Sequence, residues 1–395
     1  MDYRLTDEQQ ALKQEFIDFF EEEMKNAPTG MEGGMESNFQ NDEAFAFFQY
    51  MAKRQGEKGY HAMAWPEEYG GREAPMMDQA IFNEVAALYG NPGHDGWGIG
   101  MFAPTLLIGG TEEQKQRLLP PIAKGETLYC QGWSEPDAGS DLASLKTLAI
   151  RDGEHYVING QKIWTTGGHR AERMFMLART DPDTQRSKGL SIFSLDMKDP
   201  GVEVRPIKFL DGSHVYNEVF FKDIRVHERD RVGPEHDGWS LTRQTMNFER
   251  SGSGRFVSGL KGLQELIDYA KNTKRDGKLL SENPKVRHTI AQLYADYDVG
   301  YALSQKIIWL QEQEGLAVEP TLPSQTKVFS SELAQRRAEF ATSLMGLYGQ
   351  VFDSKWAPMG AVLTSHMQAP GMNIAAGSSE IQRNIIAWGL GLPRF

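Results

Sequence analysis

The stretch LKTLAIRDGEHYVINGQKIWTT, residues 145–166, decides how the whole chain is read. Asp152 with Gly153 and Asn159 with Gly160 are pairs favoured in the tight turns between antiparallel strands, and both predict a reversal. The segments MFMLART (174–180), GLSIFSL (189–195), GVEVRPI (201–207) and NEVFFKDIRV (217–226) continue the series, so residues from about 126 to 235 are expected to be β. Working outward, the pattern becomes helical on both sides. Thr6 with Gln9 forms a T-x-x-Q capping box ahead of Leu12, Phe16 and Phe20 on one face. Ile81, Val85 and Leu88 share a helical face that Gly90, Asn91 and Pro92 stop. A second box, Thr111 with Gln114, opens a helix that Pro120 and Pro121 are expected to terminate. After GPEHDGWSL (233–241) the helical period returns and holds to the end. The fold class is therefore α+β rather than a doubly wound sheet, with domains expected at 1–125, 126–236 and 237–395.

Composition narrows the function classes. A chain of 395 residues exceeds the ~250–300 at which one core stops growing. Hydrophobic residues at 40% and charged residues at 24% exclude a disordered or fibrous protein. The 54 acidic against 42 basic residues leave −12, which speaks against a nucleic-acid or anionic-membrane partner. A phosphorylated small molecule stays compatible, because a few local Lys or Arg suffice for it. Cys130 is the single cysteine, so no intrachain disulfide and no cysteine-based zinc site can form; its expected role is a small buried hydrophobe. No run approaches the ~18 apolar residues of a membrane span. The opening MDYRLTDEQQ reads as a helix start rather than a signal peptide, so a cytoplasmic location is expected.

No G-x-x-x-x-G-K-[ST], H-E-x-x-H or G-x-S-x-G occurs, and no metal site is expected. Gly98, Gly100 and Ala103 match a loose G-x-G-x-x-A, but no strand precedes them and the match is chance. Three blocks carry chemistry. In YCQGWSEPDAGSDLASLKT (129–147), Pro136, Gly139 and short hydroxylated side chains make a loop whose N–H groups can converge on an anion; a polar connection between helical and β parts is the alternative. In NGQKIWTTGG (159–168), Trp164 is expected in a strand, followed by Thr165 and Thr166. It is either a core residue or a flat platform beside a hydroxyl, suited to a stacked heterocycle. In NIAAGSSEIQRNIIAWGLGLPR (373–394), small residues lead into a helix carrying Ile381, Ile385 and Trp388. Such a helix start suits a phosphate or oxyanion, or a close helix contact.

In this order and spacing, SEPDAGSDLAS, NGQKIWTT and GSSEIQRNIIA resemble the acyl-CoA dehydrogenase family over essentially the whole chain. The resemblance implies a helical N-terminal domain, a middle β-barrel or sandwich and a C-terminal four-helix bundle. It implies FAD, an acyl-CoA substrate dehydrogenated at α,β, and an electron-transfer flavoprotein as acceptor. It also implies a homotetramer, or a heteromer with a related acyl-CoA dehydrogenase chain. Carried over by position, Gln131, Trp133 and Ser134 line the pyrimidine side of the flavin. Ser140 lies near the FAD diphosphate and the pantetheine, Trp164 and Thr165 pack by the flavin, and Thr166 bonds toward its N5 and O4 edge. Ser378 and Glu380 match cofactor contacts of the closing loop; Asn247, Arg250 and Gly377 match substrate contacts.

The chain departs from the family where the catalytic glutamate usually stands, immediately before the closing glycine. Ala376 is there, keeping only a backbone N–H as oxyanion donor. A minority of members carry the base directly before the arginine corresponding to Arg250, and that position is Glu249. Extending the helical face of Phe256, Leu260, Leu263 and Ile267 backward places Glu249 on it, with Gly252 and Ser253 leaving room for substrate and flavin. Two further segments differ: TKRDG (273–277) stands for R-x-x-F-G and SLMGL (343–347) for Q-x-x-G-G, both of which reach a neighbour's FAD in the family. Their loss resembles subunits that assemble with a different, related chain. A flavin-dependent oxidase or monooxygenase, and a non-catalytic subunit completing a partner's flavin site, are the competing readings. Residues 90–102 match the family's pocket bottom, where His94 or Asp95 meets a polar or cyclic acyl tail or forms only a surface loop.

Overall fold

The computed structural model describes residues 4–29, 35–250, 252–314, 320–352 and 362–393, with the backbone alone at 35, 36, 247–250 and 314. The chain packs as two compact units, one of Met1–Phe16, Ala80–Gly90 and Arg250–Phe395, the other of Ile17–Gln79 and Asn91–Glu249.

Helices α1 (Asp7–Glu23), α2 (Asp42–Glu57), α3 (Met76–Leu88), α4 (Ala103–Gly109) and α5 (Glu112–Ala123) come first. Both capping boxes form: the Thr6 hydroxyl accepts from Gln9 N–H at 3.2 Å, and that of Thr111 from Gln114 N–H at 3.3 Å. The two prolines do not end α5. They sit in its last turn and their carbonyls still accept from Lys124 and Glu126, so the helix closes at Ala123. Beyond α3, Gly90, Asn91 and Gly93 take left-handed backbone and turn the chain away.

The β part is one eight-stranded sheet of β1 (Tyr129–Gly132), β2 (Leu148–Asp152), β3 (His155–Lys162), β4 (Arg173–Arg179), β5 (Leu190–Asp196), β6 (Val202–Lys208), β7 (His214–His227) and β8 (Arg231–Val232). Its order is β6-β7-β3-β2-β4-β5-β8, with β1 parallel to β4. The first of the two turn signals is a hairpin: Asp152 pairs with His155 across Gly153. The second is not. Asn159 and Gly160 lie inside β3, where the pairing with β7 slips between Ile158 and Gly160. A Cβ at Gly160 would lie 2.8 Å from the Thr147 backbone, so glycine marks a bulge with a close approach.

In this unit two apolar clusters form, one around Phe102, Tyr129, Phe175 and Leu190, the other around Cys130, Tyr156, Met174 and Phe193. Cys130 is fully buried, as expected. So is His61, whose Nε2–H donates to Ala52 O at 2.8 Å; burial pushes its pKa down to about 4. The unfolded chain therefore takes up this proton first as pH falls, and stability present above ~6.5 is lost toward 4. A His61→Gln variant should lose roughly 2–3 kcal/mol less stability than wild type between pH 7 and 4.5, read by urea denaturation. Equal losses would show that His61 is protonated alike in both states.

The chain closes with α6 (Gly238–Arg250), α7 (Gly254–Asn272), α8 (Pro284–Glu314), α9 (Thr321–Met345), α10 (Val362–Met372) and α11 (Ser379–Gly389). Helices α7, α8 and α9 share a core of Phe256, Leu263, Leu293, Tyr297 and Leu333, and α10 and α11 pack on α9. The helix expected to run from Glu249 to Phe256 is two helices. α6 is described to Arg250 and α7 from Gly254, where a Cβ would come 2.9 Å from that of Ala87. Gly252 is exposed and faces open space, whereas Ser253 is buried and bonds the carboxylate of Glu84. The space at Ser253 is therefore taken by protein. Among the described residues no helix is long and apolar enough to cross a membrane.

Candidate functional site

The first two sequence blocks meet in the Ile17–Gln79 and Asn91–Glu249 unit. β1 delivers Gln131, half-buried, with its Nε2 3.5 Å from Met101 Sδ. Trp133 follows it into the core, edge-on to Phe175 at 5.3 Å, while its Nε1 has no hydrogen-bond partner among the described residues. Ser134 is half-buried and its carbonyl accepts from Ile163 N–H at 2.9 Å, joining the two blocks. Glu135 and Ala138 pair through their backbones, throwing Pro136, Asp137, Gly139 and Ser140 out to solvent.

Trp164 is not in a strand. β3 stops at Lys162, and Trp164 sits beyond it with left-handed backbone, φ 62°, and 54% of its surface exposed. A non-glycine residue pays ~1–2 kcal/mol for that region, so its neighbours must hold it. Thr165 does so: its N–H donates to Asn217 O, and Asn217 Nδ2 donates to Thr165 O, each at 3.0 Å. Asn217 is fully buried, and His214 Nε2–H donates to its Oδ1 at 2.8 Å. The Thr165 hydroxyl is buried without a partner among the described residues, and Thr166 is half-buried beside it. An exposed indole held in a strained turn, with two orphaned polar atoms at Trp133 and Thr165, fits a flat heterocycle with hydrogen-bonding edges.

Beneath this surface lies a group that sequence reading missed. Lys162 is fully buried; its Nζ donates to Glu135 Oε1 at 2.9 Å and to Trp133 O at 3.0 Å. Glu135 also accepts the N–H groups of Lys146 and Thr147 at 2.6 and 2.9 Å. Burial lowers the Lys162 pKa to about 8 against the pull of Glu135. Burial alone would raise Glu135, but the Lys162 charge and these hydrogen bonds hold it below the usual range. The available signal was a lysine among the inward positions of an otherwise apolar strand face.

His94 and Asp95 are not a surface loop. Asp95 is buried and accepts from Trp97, Gly98 and Tyr129 N–H at 2.9–3.0 Å, which commits both oxygens to backbone. Burial raises its pKa to about 7.

In the other unit, the third block forms a turn between α10 and α11. Ala376 and Gly377 are both left-handed, φ 57° and 84°, and the buried Gln382 holds them by donating from Nε2 to Ala376 O at 2.8 Å. The Ala376 N–H donates to no described residue. Ser378 caps α11 by accepting from Ile381 N–H at 3.4 Å. Glu380 is exposed in the first turn, where backbone N–H and Ser378 hold its carboxyl below the usual range. The side chains of Asn247, Glu249 and Arg250 lie outside the described residues.

Comparison with known proteins covers the same ground from end to end. The acyl-CoA dehydrogenase N-terminal domain matches residues 6–126, the middle domain 130–224 and the C-terminal domain 236–391. Acyl-CoA dehydrogenase IpdE1 of Mycobacterium tuberculosis is 35% identical over 89% of this chain and 90% of its own. Among solved structures, the Tcur3481-Tcur3483 steroid ACAD superposes with a TM-score of 0.89 at 28% identity, covering 100% of both chains. The ChsE4-ChsE5 complex from Mycobacterium tuberculosis gives 0.86 at 30% identity, again over 100% of both chains. With these matches the α+β plan and the three signature blocks have one explanation: the chain belongs to the acyl-CoA dehydrogenase family, whose members are flavoproteins using FAD.

Proposed function

We propose that this chain binds FAD and dehydrogenates an acyl-CoA thioester to the trans-2-enoyl-CoA, its electrons passing to an electron-transfer flavoprotein in the cytoplasm. The observation that carries the reading is the exposed, left-handed Trp164 next to Thr165, whose hydroxyl, like Trp133 Nε1, finds no partner among the described residues. Bound FAD would supply the hydride acceptor. Gln131, Trp133, Ser134, Ser140, Trp164, Thr165 and Thr166 would hold it, with Ser378 and Glu380 at the closing turn. Glu249 takes the α-proton, which is too weakly acidic to leave without a positioned base and a stabilised enolate oxygen. The Ala376 N–H is the proposed oxyanion donor, and its lack of a described protein partner supports that role. Asn247, Arg250 and Gly377 contact the substrate. The domains are taken as 1–125, 126–236 and 237–395.

The solved relatives point to a bulky acyl group of steroid type and to assembly from two different chains. The segments at 273–277 and 343–347 favour the same assembly, and Leu347 and Tyr348 are apolar yet largely exposed there. Expressed alone, the chain should retain less than one FAD per subunit and regain it with its partner chain, measured by mass and by flavin released on denaturation. A homotetramer carrying one FAD per chain would exclude an obligate partner. An assembled protein with no flavin would overturn the flavoprotein reading itself. A panel of linear, branched and polycyclic CoA thioesters then tests the acyl group, and turnover confined to linear chains would exclude the steroid class.

A further inference from the structure

Buried charges lie beneath the platform. Glu135 is the buried carboxylate, and two cations share the core with it. Lys162 bonds it directly. Arg179, also buried, lies within range of its charge and spends its guanidinium on the carbonyls of Ala143, Leu145, Thr184, Arg186 and Lys188. Those carbonyls bring dipoles but no formal charge, and the carboxylates of Glu135 and Asp181 both act on Arg179, so Lys162 is the cation that joins Glu135 to the two platform segments. A charge in the interior is screened far less than one at the surface, and its field extends into what lies above it. Above it are segments 133–134 and 163–166, because Lys162 holds Trp133 O and Ile163 N–H holds Ser134 O.

We propose that Lys162 is the positioning and charge-setting residue of this platform, fixing the two segments against each other and favouring an electron-rich ring upon them. The inference rests on the reading that the platform takes FAD, and it adds a group that touches neither flavin nor substrate. A flavin gains negative charge on two-electron reduction, so a fixed cation behind it raises its midpoint potential. Glu135 moderates that cation and ties in the backbone of Lys146 and Thr147.

The test is a dye-equilibrated reductive titration of flavin-loaded protein, assembled with its partner chain if one is required. Lys162→Met should lower the midpoint potential and weaken flavin retention by roughly tenfold, about the effect of losing one charged hydrogen bond. Glu135→Gln should shift the potential the opposite way, since it leaves both cations in place. Opposite shifts support the proposal. Equal potentials in all three proteins overturn it and reduce Lys162 to a core strut. Shifts of the same sign overturn it too, because distortion of the loop rather than charge would then be acting. If Lys162→Met fails to fold around the unpaired Glu135, the double variant Lys162→Met with Glu135→Gln replaces it and is compared with Glu135→Gln alone; a potential at or above that of Glu135→Gln sinks the idea. Wild-type protein without any flavin is a separate outcome that fails the underlying reading.

Discussion

Replacing Glu249 by Gln should slow anaerobic reduction of the flavin by substrate by roughly 10²–10⁴, the usual contribution of a positioned base. Glutamine keeps the volume and hydrogen-bonding capacity of the side chain, so flavin and acyl-CoA should still bind and only the proton transfer should suffer. The motive is Ala376: its methyl group stands where most of the family carries the base, and it cannot abstract a proton. Adding Ala376→Glu to the Glu249→Gln variant should restore part of the rate by returning a carboxylate to the commoner position. Stopped-flow reduction with an established substrate decides the matter. A wild-type rate in Glu249→Gln removes Glu249 from the chemistry. The base would then have to be sought elsewhere, first at Asp95, whose carboxyl burial raises to about 7.

Gly93→Ala should cost about 3–5 kcal/mol of stability, at the severe end of single substitutions. Gly93 has φ 79°, and a Cβ built on it would lie 2.4 Å from Ala52 N and 2.6 Å from Met51 C. The left-handed backbone alone costs alanine ~1–2 kcal/mol. The rest comes from pushing the turn off α2, which would also strain the bond from Gln55 Nε2 to Pro92 O. Gly212→Ala separates the two effects, because Gly212 is equally left-handed at φ 83° but faces open space. It should lose only the smaller amount. Denaturant unfolding of both variants gives the comparison, and equal losses would show that backbone conformation, not contact with α2, is what Gly93 supplies.

The order of helices and strands was legible because it rests on local physics. Two capping boxes, the stop at Gly90 and Asn91, and the β segments after residue 126 depend on neighbours a few residues apart, and all of them form. The platform residues were singled out through the family's sequence pattern rather than through periodicity. What failed failed where a second segment decides. Asn159 and Gly160 have the chemistry of a turn, yet β7 continues alongside and makes them a bulge. Trp164 looked like a strand residue, but the bonds between Thr165 and Asn217, 52 positions away, bend the chain out and leave the indole exposed. The helix through Glu249 and Phe256 was inferred from one apolar stripe, which cannot register that Ser253 is claimed by Glu84 from another helix. Sequence by itself thus determined the α–β–α order, the turn at Gly153 and the family. Only the tertiary structure decided the charges under the platform, because Lys162, Glu135 and Arg179 act on one another through a desolvated interior that folding alone creates.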